Sequence, residues 1–174
     1  FLSASGLGEE IRKTLVNLDT GDLTALADRG RSIREAILAR PLPDDLRAPG
    51  HLMIDFGDDR LTRGRPHPMI DGSIRARRLL EEGADAACGV VLLDVVLGHG
   101  AHPDPTAELA PAIRKARATA GEYGRDLAVL ASLIGTAGDP QDLERQARTL
   151  QAAGASVHLS NAEAAAAAVG LVGG

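Results

Sequence analysis

From residue 51 onward, short apolar runs alternate with longer segments in which apolar residues recur every three or four positions. Runs of the first kind predict buried strands, and segments of the second kind predict amphipathic helices. The predicted strands are residues 52–54, 88–97, 127–134 and 157–159. The second and third runs are almost wholly apolar, which is typical of central parallel strands covered on both faces.

The segments between these runs carry signals for helix N-termini. Asp71, Asp104 and Asp139 are each placed to cap a helix, and a proline follows the last two. Ser160 and Glu163 have the spacing of a capping box before a final alanine-rich helix. The order β-α-β-α-β-α-β-α predicts an α/β fold, an open parallel sheet of about four strands with helices on both faces.

Residues 1–50 follow a different pattern and predict a helical lead-in or cap to the main domain, residues 51–174. Apolar spacing predicts short helices at 9–18, 23–28 and 32–39, and three prolines between residues 41 and 49 interrupt regular structure. The chain begins at Phe1 without an initiator methionine, so we expect a fragment or a processed chain.

Composition narrows the classes of partner. With 19 basic and 24 acidic residues the chain has a net charge of −5, which disfavours binding to nucleic acid or to an anionic membrane surface. The single cysteine, Cys88, excludes an internal disulfide and fits a reducing compartment. No apolar run approaches the roughly 20 residues of a membrane span, so we predict a cytoplasmic location.

Glycine-containing loops follow the first three predicted strands, at residues 57–68, 98–104 and 135–139. In open parallel sheets, ligands bind beyond the carboxyl ends of the strands. Each loop contains glycine, which allows close backbone approach, and each leads into a helix N-terminus, which favours an anion. We therefore predict one anion-binding site at this edge, with a cradle made by Gly57, Gly98, Gly100, Gly135 and Thr136.

The first loop also carries Arg63, Arg65 and His67 around a glycine and two prolines. One interpretation is a clamp, or lid, that holds a phosphate or carboxylate by guanidinium hydrogen bonds. The alternative is a solvated surface loop whose arginines balance Asp58 and Asp59.

The second loop contains His99 and His102, which we interpret as phosphate-handling or proton-transferring residues. With Asp104 they also have the composition of a metal triad. However, His-x-x-His in a glycine loop lacks the helical spacing of zinc motifs, so we predict no metal. Exposed polar loop residues are the remaining alternative. P-loop, dinucleotide-fingerprint and nucleophile-elbow motifs are all missing from the sequence.

Four segments between residues 50 and 170 resemble the ligase domain of the succinyl-CoA synthetase superfamily, most closely its FdrA-like acyl-CoA synthetase branch. The segments are Met-Ile-Asp-Phe-Gly-Asp-Asp at 53–59, Gly-Arg-Pro-His-Pro-Met-Ile-Asp at 64–71, Leu-Leu-Asp-Val-Val-Leu-Gly at 92–98 with Gly-Ala-His-Pro-Asp at 100–104, and Gly-Thr at 135–136. The resemblance implies a flavodoxin-like, Rossmann-like fold.

The resemblance also implies a partner and a chemistry. In the synthetases this domain pairs with a similar domain, whose phosphohistidine docks at a glycine loop that Gly98 and Asp104 match here. Gly135 and Thr136 match the loop after the third strand, and Asp55 and Gly57 match a Leu-Asp-Val-Gly-Gly segment. The phosphohistidine motif Gly-His-Ala-Gly-Ala is missing, and His99 replaces the second loop glycine.

We therefore expect a domain of an acid–thiol ligase that provides the phosphate-facing or acyl-phosphate-facing part of the active site. The resemblance implies CoA and ATP for the complete enzyme, a CoA-binding or nucleotide-binding domain or subunit as partner, and an oligomer. We expect no cofactor to be held by this domain alone. The alternatives are an oxamate-type carbamoyltransferase subunit using carbamoyl phosphate, and a non-catalytic partner-binding module.

Overall fold

The structure is a computed structural model that describes residues 45–47 and 50–172. The described residues fall into two compact units, one ending at Asp55 and the other beginning at Phe56. The helices predicted at 9–18, 23–28 and 32–39 lie outside the described residues. Within the described part, every helix is too short or too polar to cross a membrane.

In the first unit, residues 51–55 form no strand, so the predicted strand at 52–54 is wrong. A run of three residues makes few ladder hydrogen bonds, and the Met53 residue is 61% exposed. Burial therefore provides little free energy to offset the entropy of ordering this run.

The second unit contains three strands and five helices among its described residues. In chain order they are α1 (Asp59–Thr62), α2 (Ser73–Ala84), β1 (Val90–Val96), α3 (Thr106–Glu122), β2 (Ala128–Ile134), α4 (Leu143–Ala152), β3 (Ala155–His158) and α5 (Asn161–Val172). The α/β class and the parallel sheet are confirmed, with three strands where about four were expected.

All strand pairs in this sheet are parallel, in the order β1-β2-β3. β2 is the central strand, and five consecutive residues of it, from Val129 to Leu133, are buried. β1 was predicted to be central and covered on both faces, but among the residues that the structure describes it pairs only with β2. Leu92 and Asp94 of β1 are exposed because they point to the side that is less completely covered.

The main core lies on one face of the sheet, where α2, α3 and α4 pack together with residues of all three strands, and α4 contacts β3. Ile113 and Ala116 of α3 are fully buried there. Gly83 of α2 lies so close to α3 that an added Cβ would be 2.6 Å from the Ala116 backbone, so glycine sets this helix separation. On the opposite face, α5 contacts all three strands, and its Ala164 is fully buried.

The predicted helix caps have mixed outcomes. Asp71 Oδ1 accepts from Ser73 N at 2.9 Å, and Ser160 Oγ accepts from Glu163 N at 3.4 Å, so both side chains do bond a first-turn amide. The Asp104 and Asp139 predictions are wrong. α3 begins after Pro105, while Asp142 caps α4 by accepting from Arg145 N at 3.0 Å. Asp104 and Asp139 instead bond within the loops described next.

Candidate anion-binding site

The loops that follow β1 and β2 lie side by side at the carboxyl edge of the sheet. Leu97 N donates to Ile134 O at 2.8 Å, which extends the β1–β2 pairing into the start of both loops. A Cβ added to Gly135 would lie 2.9 Å from Leu97 Cβ, so the second and third loops approach closely only because residue 135 has no side chain.

The second loop is held in place by Gln141, which is 2% exposed. Gly98 N donates to Gln141 Oε1 at 3.1 Å, while Gln141 Nε2 donates to Gly98 O at 2.7 Å and to His102 O at 3.1 Å. Gly98 has φ +140°, a conformation that side chains rarely adopt. A buried side-chain amide therefore fixes both ends of a strained glycine turn.

A second glutamine, Gln146, connects this clamp to the start of α3. It is fully buried; its Oε1 accepts from Thr106 N at 3.2 Å, and its Nε2 donates to Asp104 Oδ1 at 2.9 Å and to Gln141 O at 3.2 Å. Neither glutamine was predicted from the sequence. The one local signal is that Gln146, a polar residue, lies on the apolar face of α4 with Leu143 and Leu150.

Asp104 is the charged member of this network. Arg145 Nη1 donates to Asp104 Oδ2 at 2.9 Å, and Thr106 Oγ1 donates to Oδ1 at 3.0 Å. Burial raises the pKa of the Asp104 carboxyl, but hydrogen bonds from Gln146, Arg145 and Thr106 outweigh burial and lower the pKa below its usual value. Asp104 does not cap α3, because its carboxylate instead accepts hydrogen bonds from Arg145 and Gln146, about 40 residues away.

The third loop closes on itself. Thr136 N donates to Asp139 Oδ2 at 2.6 Å, Thr136 Oγ1 lies 3.3 Å from the same oxygen, and Gly138 N donates to Thr136 Oγ1 at 3.3 Å. Asp139 is therefore used within its own loop and does not cap α4.

These bonds divide the predicted cradle in two. The amides of Gly98 and Thr136 already have acceptors, Gln141 and Asp139. Within the described ranges, the amides of His99, Gly100 and Gly135 have no intramolecular acceptor. Backbone N–H groups of this second kind are the donors that remain for a bound anion.

The first predicted loop joins the second through Met69. His102 N donates to Met69 O at 2.6 Å, which brings residues 67–71 against the second loop. A serine N–H and hydroxyl at Ser73 chiefly lower the pKa of the Asp71 carboxyl, with smaller contributions from Arg65 and His102. Gly57 lies in the turn before α1 and takes no part in the hydrogen bond between His102 and Met69.

The lid residues Arg63, Arg65 and His67 are all exposed. In the part of the chain that is described, neither arginine has a carboxylate within 4 Å, whereas Arg60 pairs with Asp58 at 3.1 Å. The alternative interpretation, a loop whose arginines balance Asp58 and Asp59, therefore describes Arg60 by a direct ion pair, while Arg65 acts on the carboxyl of Asp71 from a longer distance.

The two loop histidines differ. His99 is exposed, whereas His102 is partly buried and its Nδ1 accepts from Asp104 N at 2.9 Å. This acceptor role leaves Nε2 as the protonated nitrogen of a neutral His102 ring. Across residues 45–47 and 50–172, no three His, Cys, Asp or Glu side chains form a group that could hold a metal ion.

Together, the sheet and its loops define an open α/β domain with candidate binding groups beyond the carboxyl ends of parallel strands. The CoA-ligase family model matches residues 15–171, and the chain therefore belongs to the CoA-ligase family. Over 113 residues, 65% of this chain, it is 44% identical to the uncharacterized protein YahF of Escherichia coli strain K12. That match spans 22% of the length of YahF.

Membership of this family makes the chain a domain of the CoA-ligase type. The residues present fit a phosphate. The glycine loops offer unoccupied backbone amides, and no Phe, Tyr or Trp lies in residues 98–104 or 135–141 to stack on a base.

Proposed function

We propose that this chain supplies the phosphate-facing or acyl-phosphate-facing part of the active site of an FdrA-like acid–thiol ligase. One observation carries the proposal: two glycine loops meet at the carboxyl edge of a parallel sheet and leave the amides of His99, Gly100 and Gly135 without internal acceptors. Such amides stabilise negative charge without any reorganisation of the site during reaction.

The chemical role that follows is electrostatic. The second and third loops hold the oxyanion of a phosphate or acyl phosphate. Gly98 and Thr136 shape the cradle, since their own amides are engaged. Arg63, Arg65 and His67 close over the anion, and guanidinium groups suit this task because they form paired hydrogen bonds to phosphate oxygens.

The loop histidines act on protons in this proposal. His102 is positioned by Asp104 N and by its own backbone bonds to Met69 and Gln141. It is therefore the better-ordered candidate for a proton donor to a leaving phosphate, and the exposed His99 contributes its amide and a second imidazole to the rim. No metal takes part in this scheme.

The acyl substrate reacts only in the complete enzyme. CoA and ATP bind to a partner domain or subunit, and this chain receives the anionic intermediate from it. Cytoplasmic location and assembly into an oligomer belong to the same proposal. Turnover of the full-length enzyme with ATP plus CoA supports acid–thiol ligation, whereas turnover with carbamoyl phosphate alone would support the carbamoyltransferase alternative.

The cradle itself is tested by titrating inorganic phosphate and acetyl phosphate into the full 174-residue chain. We expect saturable changes in the amide NMR shifts of His99, Gly100 and Gly135. Arg65→Ala should weaken binding by about tenfold, because a charge-assisted hydrogen bond contributes about 1.5 kcal/mol. Arg77→Ala, which removes an exposed arginine from α2, is the matched control.

Two results would contradict parts of the proposal. Unchanged calorimetric affinity in Arg65→Ala would remove the lid. Saturable binding without shifts at Gly100 and Gly135 would remove the cradle. If neither anion binds the chain at all, the non-catalytic partner-binding alternative gains support.

A further inference from the structure

A second concave site lies at the opposite, amino-terminal edge of the sheet. It is a cavity of about 300 Å³ formed where α3 ends and where β2 and β3 begin. The lining residues that matter here are Arg114, Arg117, Arg125, Asp126, Leu127 and Ala153. The glycine loops lie at the other ends of the same strands, so this cavity is not part of the cradle.

The arginines of this cavity lack carboxylate partners. In the described part of the chain, most other arginines that lie on helices are paired: Arg75 with Asp94, Arg78 with Glu82, Arg145 with Asp104 and Arg148 with Glu144. No carboxylate lies within 4 Å of Arg114, Arg117 or Arg125 in that same part, although Asp126 also lines the cavity.

Two of these guanidiniums are held in place by backbone carbonyls. Arg117 Nε donates to Leu127 O at 3.2 Å, while Arg125 donates to Cys88 O at 3.0 Å and to Gly83 O at 2.7 Å. A Cβ at Gly154 would overlap the Arg117 guanidinium, so the glycine provides the room in which Arg117 lies. Arg117 therefore keeps terminal N–H groups for a ligand while its Nε is anchored.

The negative ends of the neighbouring helices balance only part of the positive charge of these arginines. The C-termini of α3 and α4 each carry roughly half a unit of negative charge. Those two ends and Asp126 amount to about two negative charges against three arginines. Arg125 is already bound to Gly83 O in the last turn of α2, so the excess is about one positive charge and rests on Arg114 and Arg117. Arg114 and Arg117 are also one turn apart on α3, so they face the cavity from the same side.

We propose that this cavity binds a small oxyanion with acceptor oxygens for both Arg114 and Arg117, such as a diphosphate or a dicarboxylate. Guanidinium groups recognise phosphate and carboxylate oxygens through the same paired hydrogen bonds. None of the lining residues is aromatic, so the ligand is recognised by its charge and not by a stacked ring. This site goes beyond the proposed function and stands independently of it.

The test titrates pyrophosphate and succinate separately into the full chain, followed by calorimetry and by the amide shifts of Leu127 and Ala153. We expect saturable binding of at least one of them, weakened tenfold or more by Arg114→Ala and by Arg117→Ala. The ligand that binds with the higher affinity shows whether the site prefers phosphate or carboxylate oxygens. Arg114 makes no hydrogen bond to the rest of the described chain, so Arg114→Ala should leave the melting temperature unchanged.

Matched variants separate this site from other causes. Lys115→Ala removes an exposed charge between the two arginines, and Arg77→Ala removes an exposed arginine from α2; both should change the affinity followed by the Leu127 and Ala153 shifts less than twofold. Three results would overturn the proposal: no saturable binding of either anion, equal weakening by Lys115→Ala, or loss of the Leu127 and Ala153 shifts in Arg77→Ala.

Discussion

The second and third loops lie beside one another at the same edge of the sheet, but they are held in shape in different ways. The second loop depends on Gln141 and Gln146, which lie about 40 residues further along the chain and are buried. The third loop depends on Asp139, which lies three residues from its partner Thr136 and is only partly buried.

This difference predicts that substitutions in the second loop change mainly the stability of the fold, and those in the third loop mainly the binding of anions. Buried side-chain amides strengthen their hydrogen bonds in a low local dielectric but leave costly unpaired groups when removed. A partly buried carboxylate on an exposed loop amide is more easily replaced by water or by another anion. The second loop should therefore respond to substitution through the folding of the whole unit, and the third loop through its affinity for anions.

The largest effect is expected from Gln146→Ala. This change leaves the buried Thr106 N without its acceptor, removes one donor each from Asp104 Oδ1 and Gln141 O, and opens a cavity at a fully buried position, so we expect the free energy of unfolding to fall by about 3 kcal/mol. Urea unfolding measures it. Gln151→Ala, at an exposed position of the same helix, should cost less than about 0.5 kcal/mol. Equal losses in the two variants would mean that the buried network contributes nothing.

An intermediate effect is expected where the two loops meet. In Gly135→Ala the new Cβ would lie 2.9 Å from Leu97 Cβ, an atom next to the backbone that cannot easily move. We expect a loss of about 1 to 2 kcal/mol from overpacking, measured by thermal or urea unfolding. Gly100→Ala meets nothing within 4 Å and serves as the control. A stable Gly135→Ala would show that the loops separate readily.

The smallest effect on stability is expected from Asp139→Asn, which should at the same time tighten the binding of phosphate. The amide oxygen can still accept from Thr136 N, so unfolding should change by less than about 1 kcal/mol. Removing a negative charge beside the cradle should tighten phosphate binding severalfold, as followed by the Gly100 and Gly135 amide shifts. Glu144→Gln removes an exposed negative charge near this edge and is the control for a general change in net charge. Weaker binding in Asp139→Asn would show that its charge shapes the cradle.

The sequence predicted most elements because their signals are local. The run 127–134 appears as β2, Ala128–Ile134, and the spacing of Leu143, Ala147 and Leu150 appears on the buried side of α4. Hydrophobic periodicity reports which side chains leave water, and this information lies within ten residues. The run 52–54 was misleading because three residues cannot show whether a neighbouring strand exists.

The candidate site was predicted only in part. Glycine loops after parallel strands were correctly placed at one edge for Gly98 and Gly135. Asp104 and Asp139 were both interpreted as helix caps, since each stands before a proline. The same local pattern has two different outcomes here, because Arg145 and Gln146 reach Asp104 from α4 while Thr136 reaches Asp139 from its own loop.

By itself, the sequence determined the α/β class, the positions of the later strands and helices, and which loops carry glycine, arginine and histidine. These features follow from the preferences of short segments for burial and backbone conformation. For the described residues, the tertiary structure alone decided that β1 pairs on one side only, that two buried glutamines hold the second loop, and which backbone amides have no internal acceptor. Those outcomes depend on hydrogen bonds between residues about 40 positions apart, and no pattern in a short window of sequence specifies which donor reaches which acceptor.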